Sequence, residues 1–229
     1  MHNSTMKIKV CGMRDAENIQ QVIALGVNMI GLIFWPKSPR YVQNISTNAG
    51  IIPDLKNPAI KDISTSDVSY VGVFVDEMPQ NVVTQAYNYK LDYIQLHGNE
   101  SPIYIDNLKS TLVPDILPNV KIIKALSINE EADILKWKTY EGHVDMFLFD
   151  TKSTQAVGGT GKHFDWSLIN MYDGNIPFLL SGGIGPDDAE AVKAFKHPMC
   201  VGIDLNSRFE KEPGMKDVDK LNAFLKALA

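Results

Sequence analysis

The chain has 229 residues, 45% of them hydrophobic and 21% charged, with a net charge of −5. That composition supplies the core of one large domain or two small ones, and an acidic balance without any basic run gives a nucleic-acid or acidic-membrane partner no support. No apolar run reaches bilayer length, and two cysteines, Cys11 and Cys200, cannot build a disulfide framework. The N-terminal MHNSTMKIKV lacks the apolar core of a secretory signal, which predicts a cytosolic chain with reduced thiols. The histidines His2, His97, His143, His163 and His197 have no metal-ligand spacing, and neither CxxC nor HExxH occurs, so no metal is expected.

In chain order, the first predicted strand is KIKVC (7–11), a run that ends in a thiol followed at once by glycine. A helix is predicted over RDAENIQQVIALG (14–26), with Asp15 as cap, Ile19, Val22, Ile23 and Leu25 as its apolar face, and Gly26 as its stop. Further strands follow in MIGLIF (29–34), SYVGVFV (69–75), LDYIQLH (91–97), VKIIKAL (120–126), VDMFLFD (144–150), IPFLL (176–180) and CVGID (200–204). Helical spacing returns in segments 77–89, 129–138 and 186–196, and DVDKLNAFLKALA (217–229) supplies a closing amphipathic helix. Eight strand–helix units in about 220 residues match a (β/α)8 barrel near its minimum size. A doubly wound open sheet alternates in the same way, but eight is the number that closes. No low-complexity linker interrupts the pattern, so residues 1–229 are expected to form a single (β/α)8 TIM-barrel domain.

Barrels of this kind carry their reactive groups where strands end and βα loops begin. Those tips hold Cys11, the loop FWPKSPRYV (34–42), Asp76, QLHG (95–98), Asp150, SGGI (181–184) and GIDLNSRFE (202–210). Glycine lets a backbone approach a ligand closely, and successive N–H groups then form an anion-binding hollow. Two such loops, SGGIGP and GIDLNS, follow strands seven and eight, a frequent phosphate position in this architecture. A third, VGGTGKHFDW (157–166), adds Lys162 but departs from the P-loop pattern at Ala156 and His163, and GGIG does not fit the dinucleotide fingerprint. A single phosphate, hence a phosphosugar-type ligand, is the expectation; the alternative is that the glycines only make tight turns.

Alternation puts Lys9 and Cys11 on one face of the first strand, and Met146, Leu148 and Asp150 on one face of the sixth. If both faces point inward, a thiol and a carboxyl meet across the rim. A thiol becomes a useful base when a nearby cation favours the thiolate, and Lys9 is a candidate for that. A carboxyl donates protons at neutral pH when burial raises its pKa, which the apolar run MFLF beside Asp150 favours. Cys200, at the start of its strand and away from this rim, reads as a small buried hydrophobe. Arg40 sits in a loop stiffened by two prolines, where a guanidinium can hold a carboxylate with two parallel hydrogen bonds, or else lie solvated on the surface. Gln95 and His97 share a strand face and either line the pocket or satisfy buried hydrogen bonds. No GxSxG elbow supports acyl transfer.

Taken together, KVCGM, GLIFWPKSPRYV, VGVFVD, QLHGNE, FLFDT, GGTGKHFDW, LSGGI and EPGMKD run in the order of one known family. Over nearly the whole chain the sequence resembles the phosphoribosylanthranilate isomerases of tryptophan biosynthesis. The resemblance implies a (β/α)8 barrel carrying out an Amadori rearrangement with neither metal nor organic cofactor. By position it makes Cys11 the general base, Asp150 the general acid and Arg40 the grip on the anthranilate carboxylate. It assigns phosphate to the loops of Gly159, Gly182, Gly183 and Ser207, and gives Asp204 a supporting role near the substrate. One departure stands out: where the family reads aspartate, one residue, then Ser-Ser-Gly, this chain has DLNSRF, so Asn206 replaces a serine and Arg208 the glycine. Rival readings keep the barrel. A histidine-pathway isomerase is expected to have an aspartate where Cys11 stands, the indole-releasing lyase to have acidic residues at other tips, and a regulatory phosphosugar-binding domain to bind without turnover. Nothing in the sequence demands more than a monomer.

Overall fold

The computed structural model describes residues 6–42, 68–151 and 166–229. All eight predicted strands form, each end within two residues of expectation: β1 (Lys7–Cys11), β2 (Met29–Ile33), β3 (Ser69–Phe74), β4 (Tyr93–Leu96), β5 (Lys121–Ile128), β6 (Met146–Thr151), β7 (Phe178–Ser181) and β8 (Cys200–Leu205). They pair in parallel and in chain order, and β8 closes on β1, so the sheet is a barrel and not open. The period of two partitions each strand. Inward residues such as Met29, Val71, Tyr93, Ile123, Met146, Leu148 and Leu179 fill the barrel interior. Their neighbours, among them Val10, Ile30, Ile94, Phe147, Phe149 and Ile203, pack in a separate layer with the helices.

Helix α1 (Ala16–Ile23) starts as expected, with the Asp15 side chain accepting from the Asn18 amide at 2.8 Å, and Gly26 beyond its end has φ +82°. The remaining helices are α2 (Pro79–Asn88), α3 (Pro102–Leu112), α4 (Glu131–Ile134), α5 (Ala189–Ala194) and α6 (Val218–Leu228). Helix α3 is absent from the sequence reading, although Ser101 as cap, Pro102 at the first turn, and buried Ile105, Leu108 and Leu112 are ordinary helix signals. The helix expected over 129–138 is a single α-turn continued as a 3-10 helix, Leu135–Tyr140. The three-residue turn puts Ile134, Trp137 and Tyr140 on one inward face.

A hairpin is absent from the sequence reading as well. Between β8 and α6 the chain makes a short hairpin, β9 (Glu210–Glu212) and β10 (Met215–Lys216). Asn18 of α1 pins it, donating to the Lys216 carbonyl at 3.0 Å and accepting from the Lys216 amide at 2.7 Å. No helix among the described residues is long and apolar enough to cross a membrane.

Candidate active site

At the C-terminal ends of the strands lies a pocket of about 210 Å³ whose lining includes Cys11, Gln95, His97, Asp150, Gly182, Gly183, Asp204 and Ser207. Eight of the ten residues expected to form the site therefore share one hollow. Gly159 lies outside the described residues, and Arg40 is not in the lining. Ile33, Val73 and Ile184 provide apolar wall, and Asn206 and Arg208 complete the side after β8. A wider hollow of about 680 Å³ at the opposite barrel end, near Ser69, Asp92 and Lys121, contains none of the expected groups.

Cys11 is 4% exposed. Burial pushes its thiol above the ordinary range, Lys9 and Lys216 oppose that shift, and Asp204 adds to it. The expectation that Lys9 would activate the thiol is thus met in direction and outweighed in sum. Part of the reason is that Lys9 has a partner of its own: its Nζ donates to Asp204 Oδ1 at 2.8 Å, with both groups buried. Ser181 Oγ donates to the other oxygen, Oδ2, at 3.3 Å. Asp204 therefore spends its carboxylate on the protein. The thiol fits because the facing residue of β2 is Gly31, where an added Cβ would come within 2.7 Å of Sγ and 3.0 Å of the Cys11 Cα. Gly31→Ala is expected to displace the sulfur and lower kcat by up to about 10²-fold, the loss that a misplacement of about 1 Å can cause. Unchanged turnover in that variant would show that the thiol position is not critical.

Asp150 is less enclosed than expected, 23% exposed, because Phe147 and Phe149 face the helices and only Leu148 and Met146 lie on its own side. His97 Nε2 stands 3.6 Å from Asp150 Oδ2. Gln95 Nε2 approaches His97 Nδ1 at 3.1 Å. Gln95 Oε1 is buried with no hydrogen-bond partner among the described residues. Gly182 and Gly183 have φ +107° and +66°, and a side chain on Gly182 would run into the Thr151 backbone, so the loop after β7 needs glycine there. Cys200 does sit at the start of β8, half-buried rather than fully so, with its Sγ 3.5 Å from the Gly202 carbonyl.

Arg40 departs from expectation. One edge of its guanidinium holds a protein carboxylate, with Nε donating to Glu210 Oε1 at 2.8 Å and Nη2 to Oε2 at 2.6 Å. This bond raises the Arg40 pKa further, and burial works against it. Neither Glu210 nor Lys216 stood out in the sequence. The available signal was the stretch EPGMKD (212–217), which includes Lys216 and has a family match but no local chemistry.

A closed eight-stranded barrel with a thiol, a carboxyl and a glycine loop at the rim where its strands end has the form of a (β/α)8-barrel enzyme. Comparison with known proteins narrows this: the family described as N-(5'phosphoribosyl)anthranilate (PRA) isomerase matches residues 8–227, and the chain belongs to it. An N-(5'-phosphoribosyl)anthranilate isomerase of Parabacteroides distasonis is 45% identical over 97% of this chain and 93% of its own. One from Phocaeicola vulgatus is 39% identical over 97% and 98%. The crystal structure of phosphoribosyl anthranilate isomerase from Thermotoga maritima superimposes with a TM-score of 0.74, at 30% identity over 98% of both chains. Another structure of such an isomerase, holding reduced 1-(o-carboxyphenylamino)-1-deoxyribulose 5-phosphate, gives 0.74 at 28% identity, again over 98% of both.

Proposed function

We propose that this chain isomerises N-(5′-phosphoribosyl)anthranilate to 1-(2-carboxyphenylamino)-1-deoxyribulose 5-phosphate in tryptophan biosynthesis, with Cys11 as general base and Asp150 as general acid. The observation that carries the assignment of roles is that both side chains line one small pocket that also takes in the glycine loop after β7. Asp150 protonates the ribose ring oxygen, the C1′–O bond breaks, and the nitrogen lone pair forms the iminium. Cys11 thiolate takes the C2′ proton, and the electron pair of that bond becomes the C1′–C2′ double bond of an enolamine. C1′ then gains a proton as the C2′ hydroxyl loses one, giving the ketose. Proton count is conserved.

The phosphate sits on the backbone amides around Gly182, Gly183 and Ser207, with the Gly159 loop, outside the described residues, as a fourth contact. Arg208, where the family has glycine, borders the same pocket and supplies a cation for it. Arg208→Ala is expected to raise KM roughly three- to tenfold with little change in kcat, as loss of one partly solvated charged contact would; an unaltered KM would mean that the side chain turns away from phosphate. Asn206 Oδ1 accepts from Lys216 at 2.9 Å, which leaves its Nδ2 as the donor on that side of the pocket. The orphaned Gln95 Oε1 is an acceptor for a ribose hydroxyl.

The substrate is fluorescent, and its emission is lost on isomerisation, so adding purified protein tests the reading directly. Binding without loss of emission would favour a regulatory phosphosugar-binding domain, and turnover of only the histidine-pathway substrate would favour the related isomerase. The reading takes the chain as a cytosolic monomer, as the sequence leads one to expect. A related structure is of mutually generated monomers of the dimeric Thermotoga maritima enzyme, so a two-chain mass in sedimentation is the result that would correct it.

A further inference from the structure

Arg40 and Glu210 lie 170 residues apart in sequence and meet in a two-point ion pair. The carboxylate is itself tightly held. Lys216 Nζ, 0% exposed, donates to Glu210 Oε1 at 2.6 Å, and the Gly214 amide donates to the same oxygen at 3.2 Å. Glu210 is 5% exposed. Burial pulls its carboxyl up, but Arg40 and Lys216 outweigh that and hold it below the usual range. The Arg40 stem is equally confined: it runs over Gly12, where an added Cβ would come within 2.5 Å of Arg40 Cδ and 2.7 Å of Asn206 Oδ1.

A guanidinium has two edges that can grip a carboxylate: the side edge, Nε with Nη2, and the end edge, Nη1 with the second Nη2 hydrogen. Glu210 takes the side edge, and Nη1 donates to no described residue. Two cations and one carboxylate leave the cluster with one positive charge, at a position where Arg40 feels the Cys11 sulfur. We infer that Glu210, locked by Lys216, is a positioning residue. It fixes the Arg40 plane through one edge so that the other is preorganised for the carboxylate on the substrate's aromatic ring. The β9–β10 hairpin, pinned to α1 by Asn18, is the platform that carries it. This rests on Arg40 as the carboxylate grip, a contact made equally in ground and transition states, so it acts on KM more than on kcat.

The test compares N-(5′-phosphoribosyl)anthranilate with its aniline counterpart, which lacks the carboxylate, in steady-state kinetics. Glu210→Gln keeps an acceptor without the charge. Glu210→Leu/Lys216→Met removes the buried pair together, which folds more safely than stranding one charge. The double variant is expected to raise KM for the anthranilate substrate roughly tenfold, with Glu210→Gln intermediate, and to cause no further rise in an Arg40→Ala background. The aniline substrate controls for any effect of Lys216 on the thiol, because such an effect appears with both substrates and clamp loss with one. An Arg40→Ala variant with raised KM beside an unaffected Glu210→Leu/Lys216→Met variant overturns the clamp and leaves the Arg40 grip standing, as does a full additive rise in the triple variant. An Arg40→Ala variant with wild-type KM overturns the grip itself.

Discussion

Cys11→Ala is expected to lower kcat at least roughly 10²-fold with a much smaller change in KM, the signature of losing a group that acts in the transition state. The sulfur is the only candidate base on β1, and it stands in a site built to admit it, opposite a glycine whose side chain would collide with it. Its buried thiol lies above the ordinary range, so the thiolate fraction in the free enzyme grows as pH rises. kcat/KM should therefore climb with pH through an ionisation on the alkaline side of a free cysteine, and Cys11→Ala should lose that limb. Iodoacetamide at Cys11 should abolish turnover, and bound substrate should slow the alkylation. Full activity in an enzyme alkylated at Cys11, or normal turnover by Cys11→Ala, would remove the thiol from the mechanism.

The second large effect is at the opposite wall. Asp150→Asn keeps the shape and the His97 contact but has no acidic proton to deliver, so kcat should again fall at least roughly 10²-fold. Without ring-oxygen protonation the iminium does not form, and C2′ is not acidic enough for a thiolate to deprotonate. The discriminating measurement is exchange of the C2′ hydrogen with deuterated solvent. Asp150→Asn should show neither turnover nor exchange, and wild-type exchange in that variant would mean that ring opening is driven by another group.

The barrel was legible because its evidence is repeated eight times. Each strand writes the same period-two pattern, so a two-residue error at any end leaves the count and the closure intact. The rim was legible for the same reason: once strand ends are known, Cys11 and Asp150 follow from parity. Side-chain partnership was not. The carboxylate that Arg40 holds within the chain comes from Glu210, and no local pattern signals a pair so distant in sequence. Two strands of three and two residues, β9 and β10, are too short to show any period. Lys9 was placed correctly beneath the thiol, while its engagement with Asp204 depends on β1–β8 register across the barrel closure. Helix α3 was missed despite clear signals at Ser101 and Pro102.

The seam between β1 and β8, tightened by Asn18 on Lys216, has a bearing on biosynthesis. The thiol is translated well before the glutamate and lysine that complete its surroundings, Glu210 and Lys216. A nascent chain that has just cleared β7 has most of its strands but an unclosed ring. Competence should thus switch on abruptly once the hairpin has been added, which an arrest series of truncated, tethered chains would resolve as a step at that point.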